Sequence, residues 1–233
     1  MSAPKPDLPQ PDLEAALTTA LGSAVTDLHR LTAGASMESW AFEAGGEPLI
    51  LRRAPGGSDS QSGIGGIALA TEAALIDVAR GHGVTAPEVR HIFAPDSPIG
   101  AGYVMARLPG EALPPRLFKT PALTPVLAAL PDRLAREMAA IHALPLDALP
   151  DGVPTAGAKE LIESYHTAYK SIGERRPVYE LAFAWLREKC PADFDPPVLV
   201  HGDFRMGNLL IDASGLTAVL DWEIAHLGDP HQD

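Results

Sequence analysis

The spacing of apolar residues changes along the chain. Apolar residues recur at helical spacing over residues 12–22, whereas residues 25–55 alternate and turn like a small antiparallel sheet. Glycines mark the two turns of that predicted sheet, Gly34 in the first and Gly45-Gly46 in the second. A second helix is predicted over residues 68–83, which ends in a Gly-His-Gly sequence. After the first helix, this part of the chain therefore reads as strands with one helix.

Helical periodicity dominates after a short strand within residues 102–110. One predicted helix covers residues 132–144 and places Leu134, Met138 and Ile141 on one face. Another covers residues 177–190 and begins at Pro177, a residue favoured at the first helical position. Its apolar face consists of Val178, Ala182, Trp185 and Leu186.

Strand patterns return near the end of the chain. Residues 196–200 read as a strand, and two apolar runs after them predict a hairpin that turns between Asp212 and Gly215. The order of elements predicts an α+β fold with two lobes. Residues 1–107 would form an N-terminal lobe with an antiparallel sheet and one helix, and residues 108–233 a mainly helical C-terminal lobe carrying the hairpin.

Composition narrows the class of protein. The chain has 233 residues, a formal net charge of −12 and one cysteine, Cys190. An acidic chain disfavours general nucleic-acid binding but is compatible with a cationic small molecule. Its apolar stretches fall short of the roughly 20 residues that span a bilayer, and its Pro-rich start lacks the pattern of a secretory signal. We expect no nucleic-acid partner, no membrane and a cytoplasmic location.

The sequence "LVHGDFRMGNLLID" holds the strongest chemical signal. Asp203 and Asn208 lie on the loop that enters the hairpin, and Asp221 lies near the far end of the hairpin. Because an antiparallel hairpin brings its two ends together, Asn208 and Asp221 can face one site. Carboxylate and amide oxygens suit Mg²⁺, and Asp203 is then available to deprotonate an attacking hydroxyl. Protein kinases use the same His-x-Asp-x₄-Asn spacing followed by a metal-binding Asp. Alternatively, these residues are turn caps and an ordinary strand start.

Together with "GLTAVLDWEIAHLGDPHQD", this sequence resembles the aminoglycoside phosphotransferase and choline kinase-like family of small-molecule kinases, especially the branch related to acyl-CoA dehydrogenase-fused domains. The resemblance implies a two-lobed protein-kinase-like fold, ATP or GTP as co-substrate, and Mg²⁺. It further implies a small-molecule hydroxyl acceptor. By this resemblance, Asp203 would be the catalytic base, and Asn208 and Asp221 would bind Mg²⁺. His201 would support the loop, and Asp233 would brace the site.

The resemblance extends to the N-terminal half. The family's third-strand lysine corresponds to Arg52, its partner on the following helix to Glu72, and Ile50 would cover an adenine ring. Arginine is a departure, because its planar fork is not equivalent to an ammonium group. Arg53 is the alternative candidate for the position of the lysine. Alternatively, Arg52 and Glu72 are solvated surface charges.

Three further segments are candidates for nucleotide contacts. "GASMES" resembles the family's nucleotide loop and offers backbone N–H groups with the hydroxyls of Ser36 and Ser39 beside Gly34, although an ordinary hairpin turn fits as well. "GYVMARLPG" resembles the linker between lobes, with Met105 and Arg107 as cofactor contacts. "GIGGIA" is rejected as a dinucleotide motif, because it lies in a Gly/Ser-rich linker over residues 56–67.

Two other functions compete with the kinase hypothesis. The arginine at position 52 and the end of the sequence at Asp233 suggest a nucleotide-binding module without catalysis. The segment "HLGDPHQD" suggests a metal-dependent hydrolase, although it lacks a helical i, i+4 histidine pair.

Family members usually continue beyond this segment, so we expect an incomplete C-terminal lobe and acceptor pocket. One face of the hairpin, with Trp222 and Ile224, would then be exposed and would favour self-association.

Overall fold

A five-stranded antiparallel sheet forms the N-terminal part of the molecule. The structure is a computed structural model that describes residues 10–31, 37–54 and 66–233. The strands are β1 (Val25–Arg30), β2 (Glu38–Ala44), β3 (Glu47–Arg53), β4 (Val89–Phe93) and β5 (Gly102–Ala106). Their order in the sheet is β1-β2-β3-β5-β4. The Pro-rich start, Gly34, Ser36 and most of the predicted Gly/Ser linker lie outside the described residues.

The hairpin between β2 and β3 confirms the predicted Gly45-Gly46 turn. Ala44 pairs with Glu47, and Gly45 and Gly46 have φ angles of 61° and 80°. Two consecutive residues with positive φ define the turn type that matches the twist of a two-residue hairpin, and glycine adopts this conformation without steric cost. The turn fixes the register that carries Arg52 opposite Ser39.

Helices cover both faces of the sheet. The helices are α1 (Gln10–Leu21), α2 (Leu69–Gly81), α3 (Pro114–Leu117), α4 (Thr124–His142), α5 (Ala158–Ser171) and α6 (Pro177–Lys189). Leu13 and Leu17 of α1 pack on the face that carries Leu49 and Leu51. Since successive strand residues point to opposite faces, Ile50 and Arg52 belong to the other face. That face meets α2 and the C-terminal part.

Four short strands organise the C-terminal part. They are β6 (Val198–Val200), β7 (Leu209–Asp212), β8 (Gly215–Val219) and β9 (His226–Gly228). Strands β7 and β8 form the predicted hairpin, and β6 pairs with β9. The connector from β5 reaches the hairpin directly, because the backbone N–H of Glu111 donates to the carbonyl of Ile211 at 2.9 Å and Ile211 donates back at 3.1 Å. The predicted α+β architecture is confirmed.

The expected exposure of Trp222 is wrong. Its side chain is fully buried, its ring centroid lies 4.7 Å from that of His201, and its indole N–H donates to the carbonyl of Val219 at 3.2 Å. The chain itself covers this residue, because the loop entering the hairpin folds across it. Ile224 is half-buried.

The apolar face predicted for α6 is exposed to solvent. On this helix, the side chain of Leu181 is 71% exposed and that of Trp185 is 57% exposed. Val178 is exposed to a similar extent. The helix contacts α5 through Phe183 against His166, with ring centroids 4.5 Å apart. The face with Val178 and Trp185 therefore points away from the core. None of the helices in the described ranges is both long and apolar enough to cross a membrane.

Candidate active site

A cleft of about 610 Å³ lies between the sheet and the β7–β8 hairpin. Eight of the candidate residues from the sequence line it: Ser39, Ile50, Arg52, Met105, Arg107, Asp203, Asn208 and Asp221. His201 and Glu72 are buried behind its walls. Gly34 and Ser36 lie outside the described residues.

Asp203 and Asn208 are locked together on the loop before β7. The side-chain amide of Asn208 donates to the Oδ2 atom of Asp203 at 2.7 Å and to its backbone carbonyl at 3.0 Å. The second carboxylate oxygen, Oδ1, accepts from the Nε atom of Arg205 at 2.8 Å. Because the side-chain nitrogen of Asn208 bonds to Asp203, its side-chain oxygen is the atom that could bind a cation.

His201 supports this loop from inside the core. Its Nε2–H donates to the carbonyl of Leu220 at 3.1 Å, and its Nδ1 accepts from the backbone N–H of Asp203 at 3.2 Å. Burial lowers the pKa of His201, against the attraction of Asp233, so the ring is neutral in this arrangement. A neutral imidazole donates through one nitrogen and accepts through the other, and both hydrogen bonds serve the loop.

The carboxylate of Asp233 holds the same loop by its backbone. Its Oδ2 accepts from the N–H of His201 at 2.9 Å, and its Oδ1 accepts from the N–H of Gly202 at 2.7 Å. The side chain of His142, on α4, lies 3.0 Å from Oδ2. Gly202 has a φ of 83°, and a Cβ there would lie 2.8 Å from the carbonyl oxygen of Ile224. The tight turn before Asp203 thus requires a glycine.

Asp221 reaches the cleft from the far end of the hairpin. The backbone N–H of Leu220 donates to the carbonyl of Asn208 at 2.8 Å, which joins the two ends. Asp221 itself has a φ of 67°, a conformation uncommon outside glycine that clusters at functional sites. The predicted closeness of the two hairpin ends is therefore present in the structure.

Arg52 connects three acidic side chains across the cleft. Its Nη2 atom lies 2.6 Å from both Asp221 Oδ1 and Glu223 Oε2. Its Nε lies 3.5 Å from Glu72 Oε2. Burial lowers the pKa of Arg52, but the surrounding Glu72, Asp221 and Glu223 together raise it above its ordinary value. The guanidinium is permanently charged, and its fork bridges β3, α2 and the residues after β8.

Glu72 is a buried acid held by one cation. Its side chain is 1% exposed, and burial raises its pKa to about 7 although Arg52 pulls in the opposite direction. The Nε of Arg52 and both carboxylate oxygens of Glu72 lack well-formed hydrogen bonds within the described part of the chain. The two side chains therefore interact mainly through charge.

Arg53, the alternative at the lysine position, points elsewhere. It is 2% exposed, and its Nε donates to Glu38 Oε2 at 2.8 Å on the opposite face of the sheet. Arg52 is the residue of this pair that lines the cleft.

The donor chemistry of the cleft suits a hard cation. Asp203, Asn208 and Asp221 supply only oxygen donors, which Mg²⁺ prefers. Within residues 10–31, 37–54 and 66–233, no group of three or more His, Cys, Asp or Glu side chains is arranged to hold a metal ion. In the segment "HLGDPHQD", His231 pairs with Asp229 at 2.7 Å, His226 bonds to Gln232, and Asp233 holds the loop.

Several cleft residues were not singled out from the sequence. Glu223 follows Asp221 by two positions, and its acidic side chain was the only feature of the sequence that could have marked it as a cleft residue. Arg205 sits between Asp203 and Asn208, and its long basic side chain could have been recognised there. The apolar lining comes from separate elements that no local pattern joins: Leu31, Met37, Ile76, Tyr103, Leu108, Leu210 and Leu220.

Comparisons with known proteins agree with this geometry. Residues 11–233 match the model of the phosphotransferase enzyme family. Acyl-CoA dehydrogenase family member 10 of Mus musculus is 28% identical over 97% of this chain and 22% of its own length. The chain thus spans about a fifth of that curated relative.

Solved structures show the same fold. A candidate aminoglycoside phosphotransferase from Ralstonia eutropha JMP134 superposes with a TM-score of 0.70 and 25% identity, over 96% of this chain and 67% of its own. Aminoglycoside phosphotransferase APH(4)-Ia, in a ternary complex with ADP and hygromycin B, superposes with a TM-score of 0.66 and 23% identity, over 94% of this chain and 73% of its own. The two-lobed protein-kinase-like fold implied by the sequence is confirmed, and the chain belongs to the phosphotransferase enzyme family.

Proposed function

We propose that this protein is a small-molecule kinase that transfers the γ-phosphoryl group of ATP or GTP to a hydroxyl group, with Mg²⁺. One observation carries the proposal: Asp203, Asn208 and Asp221 line the same cleft as Arg52. A base, two oxygen donors and a cation are the parts that phosphoryl transfer requires, since catalysis there consists largely of positioning and charge stabilisation.

The nucleotide would bind in the cleft between residues 1–107 and residues 108–233. Ile50 and Met105 pair with each other across β3 and β5 and offer an apolar surface to a base. Arg52 and Arg107 supply positive charge along the same wall. Gly34, Ser36 and Ser39 would contribute phosphate contacts, and the first two of these belong to the chain outside the described residues.

Asp203 would act as the base. As the acceptor oxygen bonds to the γ-phosphorus, its proton passes to the carboxylate of Asp203 and the nucleoside diphosphate leaves. His201 and Asp233 position this carboxylate without touching the reactants, because both bond to the backbone of the loop. Positioning of this kind contributes strongly to rate, since a small misplacement of a catalytic group is costly.

Asn208 and Asp221 would hold the metal ion. When bound, Mg²⁺ neutralises charge that develops on the phosphates. Asp221 Oδ1 contacts Arg52 at 2.6 Å in this structure, so Asp221 would exchange or share that contact. The complex of APH(4)-Ia with ADP and hygromycin B supports a nucleotide and a small molecule as the two substrates of the proposed reaction.

A nucleotide-binding module without catalysis is the second candidate. The observation that favours it is the contact between Asp221 and Arg52, at the position where the resemblance implies a lysine. Under that alternative, the arginine would hold Asp221 away from a metal ion.

An ATP-consumption screen with hydroxylated small molecules separates the two functions. The parent chain is incubated with Mg-ATP and each acceptor, while calorimetry measures Mg-ADP binding on the same preparation. Nucleotide binding with acceptor-dependent ATP consumption supports the kinase. Nucleotide binding without consumption on any aminoglycoside, macrolide or amino alcohol would favour the binding module. Absence of nucleotide binding would contradict both.

A further inference from the structure

Two main-chain hydrogen bonds hold the backbone on either side of Asp221. The N–H of Val219, two residues before it, donates to the carbonyl of Thr85 at 2.8 Å. The carbonyl of Glu223, two residues after it, accepts from the N–H of Ile67 at 2.8 Å. Ile67 precedes α2 and Thr85 follows it. Asp221 has a φ of 67°, and such a conformation persists only where the surroundings hold it. The position of Asp221 therefore depends on these two attachments.

Thr85 is in turn held by α4. The carboxylate of Glu137 accepts from the backbone N–H of Thr85, and Arg133 Nη2 donates to the hydroxyl of Thr85 at 2.6 Å. The same guanidinium nitrogen lies 3.0 Å from Glu137 Oε2, and the side chain of Glu137 is 3% exposed. Thr85 is thus bonded to α4 through its N–H and its hydroxyl, and to β8 through its carbonyl.

Packing alone does not require a carboxylate at position 137. Apolar side chains of similar volume can often replace a buried ion pair without loss of stability. A hydrogen-bonded carboxylate differs from an apolar side chain because it fixes the backbone group that it accepts from. Glu137 therefore holds Thr85 at a defined position relative to α4.

Helix α4 also holds the loop of the proposed base. His142, five residues after Glu137 on this helix, lies 3.0 Å from Asp233 Oδ2. The carboxylate of Asp233 accepts from the two backbone N–H groups that precede Asp203. One helix therefore carries an attachment to the loop of Asp203 and an attachment to the segment of Asp221.

We infer that Glu137 is a positioning residue for the metal site: by holding the backbone of Thr85 against α4, it fixes Asp221 at the separation from Asp203 that phosphoryl transfer needs. The inference rests on the proposed function, in which Asp221 binds Mg²⁺. Glu137 does not line the cleft and acts only through Thr85 and β8. Its loss should weaken binding of the metal ion and leave the contacts of the nucleotide base in place.

The factor by which Mg²⁺ tightens ADP binding reports this role. Calorimetry measures the dissociation constant of ADP with and without Mg²⁺ for the parent chain, Glu137→Ala and Glu137→Gln. Glu137→Ala should lower the factor about 10-fold, as expected when an outer partner of a metal ligand is removed. It should change the affinity for ADP without Mg²⁺ by less than about 2-fold. Glu137→Gln keeps a carbonyl oxygen for the N–H of Thr85 and should retain most of the factor.

Arg133→Ala is a second variant that should keep the fold, because this side chain is 47% exposed. It removes the bond to the hydroxyl of Thr85 and should lower the factor about 3-fold. Arg136→Ala is its matched control, since it removes the same charge from an exposed arginine of α4 that forms neither bond. Arg136→Ala should leave the factor unchanged. If Glu137→Ala does not fold, this pair of arginine variants decides alone.

Glu38→Ala is the control for lost stability. Glu38 is also a buried carboxylate paired with an arginine, Arg53 at 2.8 Å, but it lies on the opposite face of the sheet. Its replacement should lower the urea concentration at which the chain unfolds and leave the factor unchanged.

Two results would overturn the inference and leave the kinase proposal intact. One is an unchanged factor in Arg133→Ala and in folded Glu137→Ala, and the other is an equal loss of the factor in Glu38→Ala. A parent chain that binds ADP equally well with and without Mg²⁺ would contradict the proposed metal site, and the inference with it. Failure of the parent chain to bind ADP at all would contradict the proposed function itself.

Discussion

The guanidinium of Arg52 lies 2.6 Å from the carboxylate of Asp221 and joins the third strand of the sheet to the end of the hairpin. The same side chain balances the buried Glu72. The proposed function gives Arg52 two roles that separate experimentally: it balances the charge of an acid in the core, and it would contact the phosphates of a bound nucleotide.

Arg52→Met should destabilise the chain by about 3–5 kcal/mol, because it leaves Glu72 buried without a cation. Urea unfolding measures this loss. Arg52→Lys keeps a charge and should lose less, and adding Glu72→Gln to Arg52→Met should recover part of the stability. If Arg52→Met unfolded at the same urea concentration as the parent, the ion pair would not stabilise the core.

The elevated pKa of Glu72 predicts a pH dependence of stability. Burial raises this pKa from 4.5 to about 7, so the folded state holds the proton more tightly than the unfolded chain. The favourable contribution is fully present below pH 4.5 and is lost as pH rises toward 7. The loss is about 3 kcal/mol at most.

Urea unfolding at about pH 5.5 and pH 8 tests this linkage. Glu72→Gln carries no titrating group and should show a smaller fall in the free energy of unfolding between the two conditions. Identical pH profiles for Glu72→Gln and the parent chain would show that Glu72 does not titrate in this range.

Asp233→Ala should destabilise the catalytic loop. Its buried carboxylate accepts from the backbone N–H groups of His201 and Gly202, and each buried donor left unpaired costs about 1–3 kcal/mol. Turnover should fall as well, because Asp203 follows this turn directly. Asp229→Ala is the control in the same segment, since Asp229 bonds to His231 rather than to the loop. Equal effects of the two substitutions would contradict the assigned role of Asp233.

The exposed face of α6 predicts self-association. Leu181 and Trp185 are 71% and 57% exposed on one helix, and open apolar surface of this kind favours association. Leu181→Glu combined with Trp185→Glu should lower the mass measured by light scattering at high protein concentration. Lys189→Glu makes the same change in net charge on an exposed residue of this helix and should not lower it. A monodisperse monomer for the parent chain would contradict this prediction.

The sequence predicted those cleft residues that lie on one continuous stretch of the chain. The spacing of Asp203, Asn208 and Asp221 is a local property of one loop and hairpin, and β7 and β8 pair as predicted. Arg52 and Glu72 could be matched from the family pattern because strand and helix order is simple in this part of the chain.

Long-range contacts were not predictable in the same way. The contact between Arg52 and Glu223 joins residues 171 positions apart, and no periodicity encodes it. The predicted exposure of Trp222 was wrong for the same reason, and the sequence did not show that the apolar face of α6 is exposed. Amphipathic spacing shows that a helix has an apolar face, but tertiary packing decides whether that face is covered.

One variant tests most directly whether Asp203 is the base of a phosphotransferase. Asp203→Ala is compared with the parent chain for turnover of an identified acceptor and for Mg-ADP affinity on the same preparations. Removal of a general base should lower turnover by about 10²–10⁴-fold. Mg-ADP affinity should remain within about 3-fold, because Asn208 and Asp221 stay in place. An Asp203→Ala protein that phosphorylates the acceptor as fast as the parent would contradict the assignment.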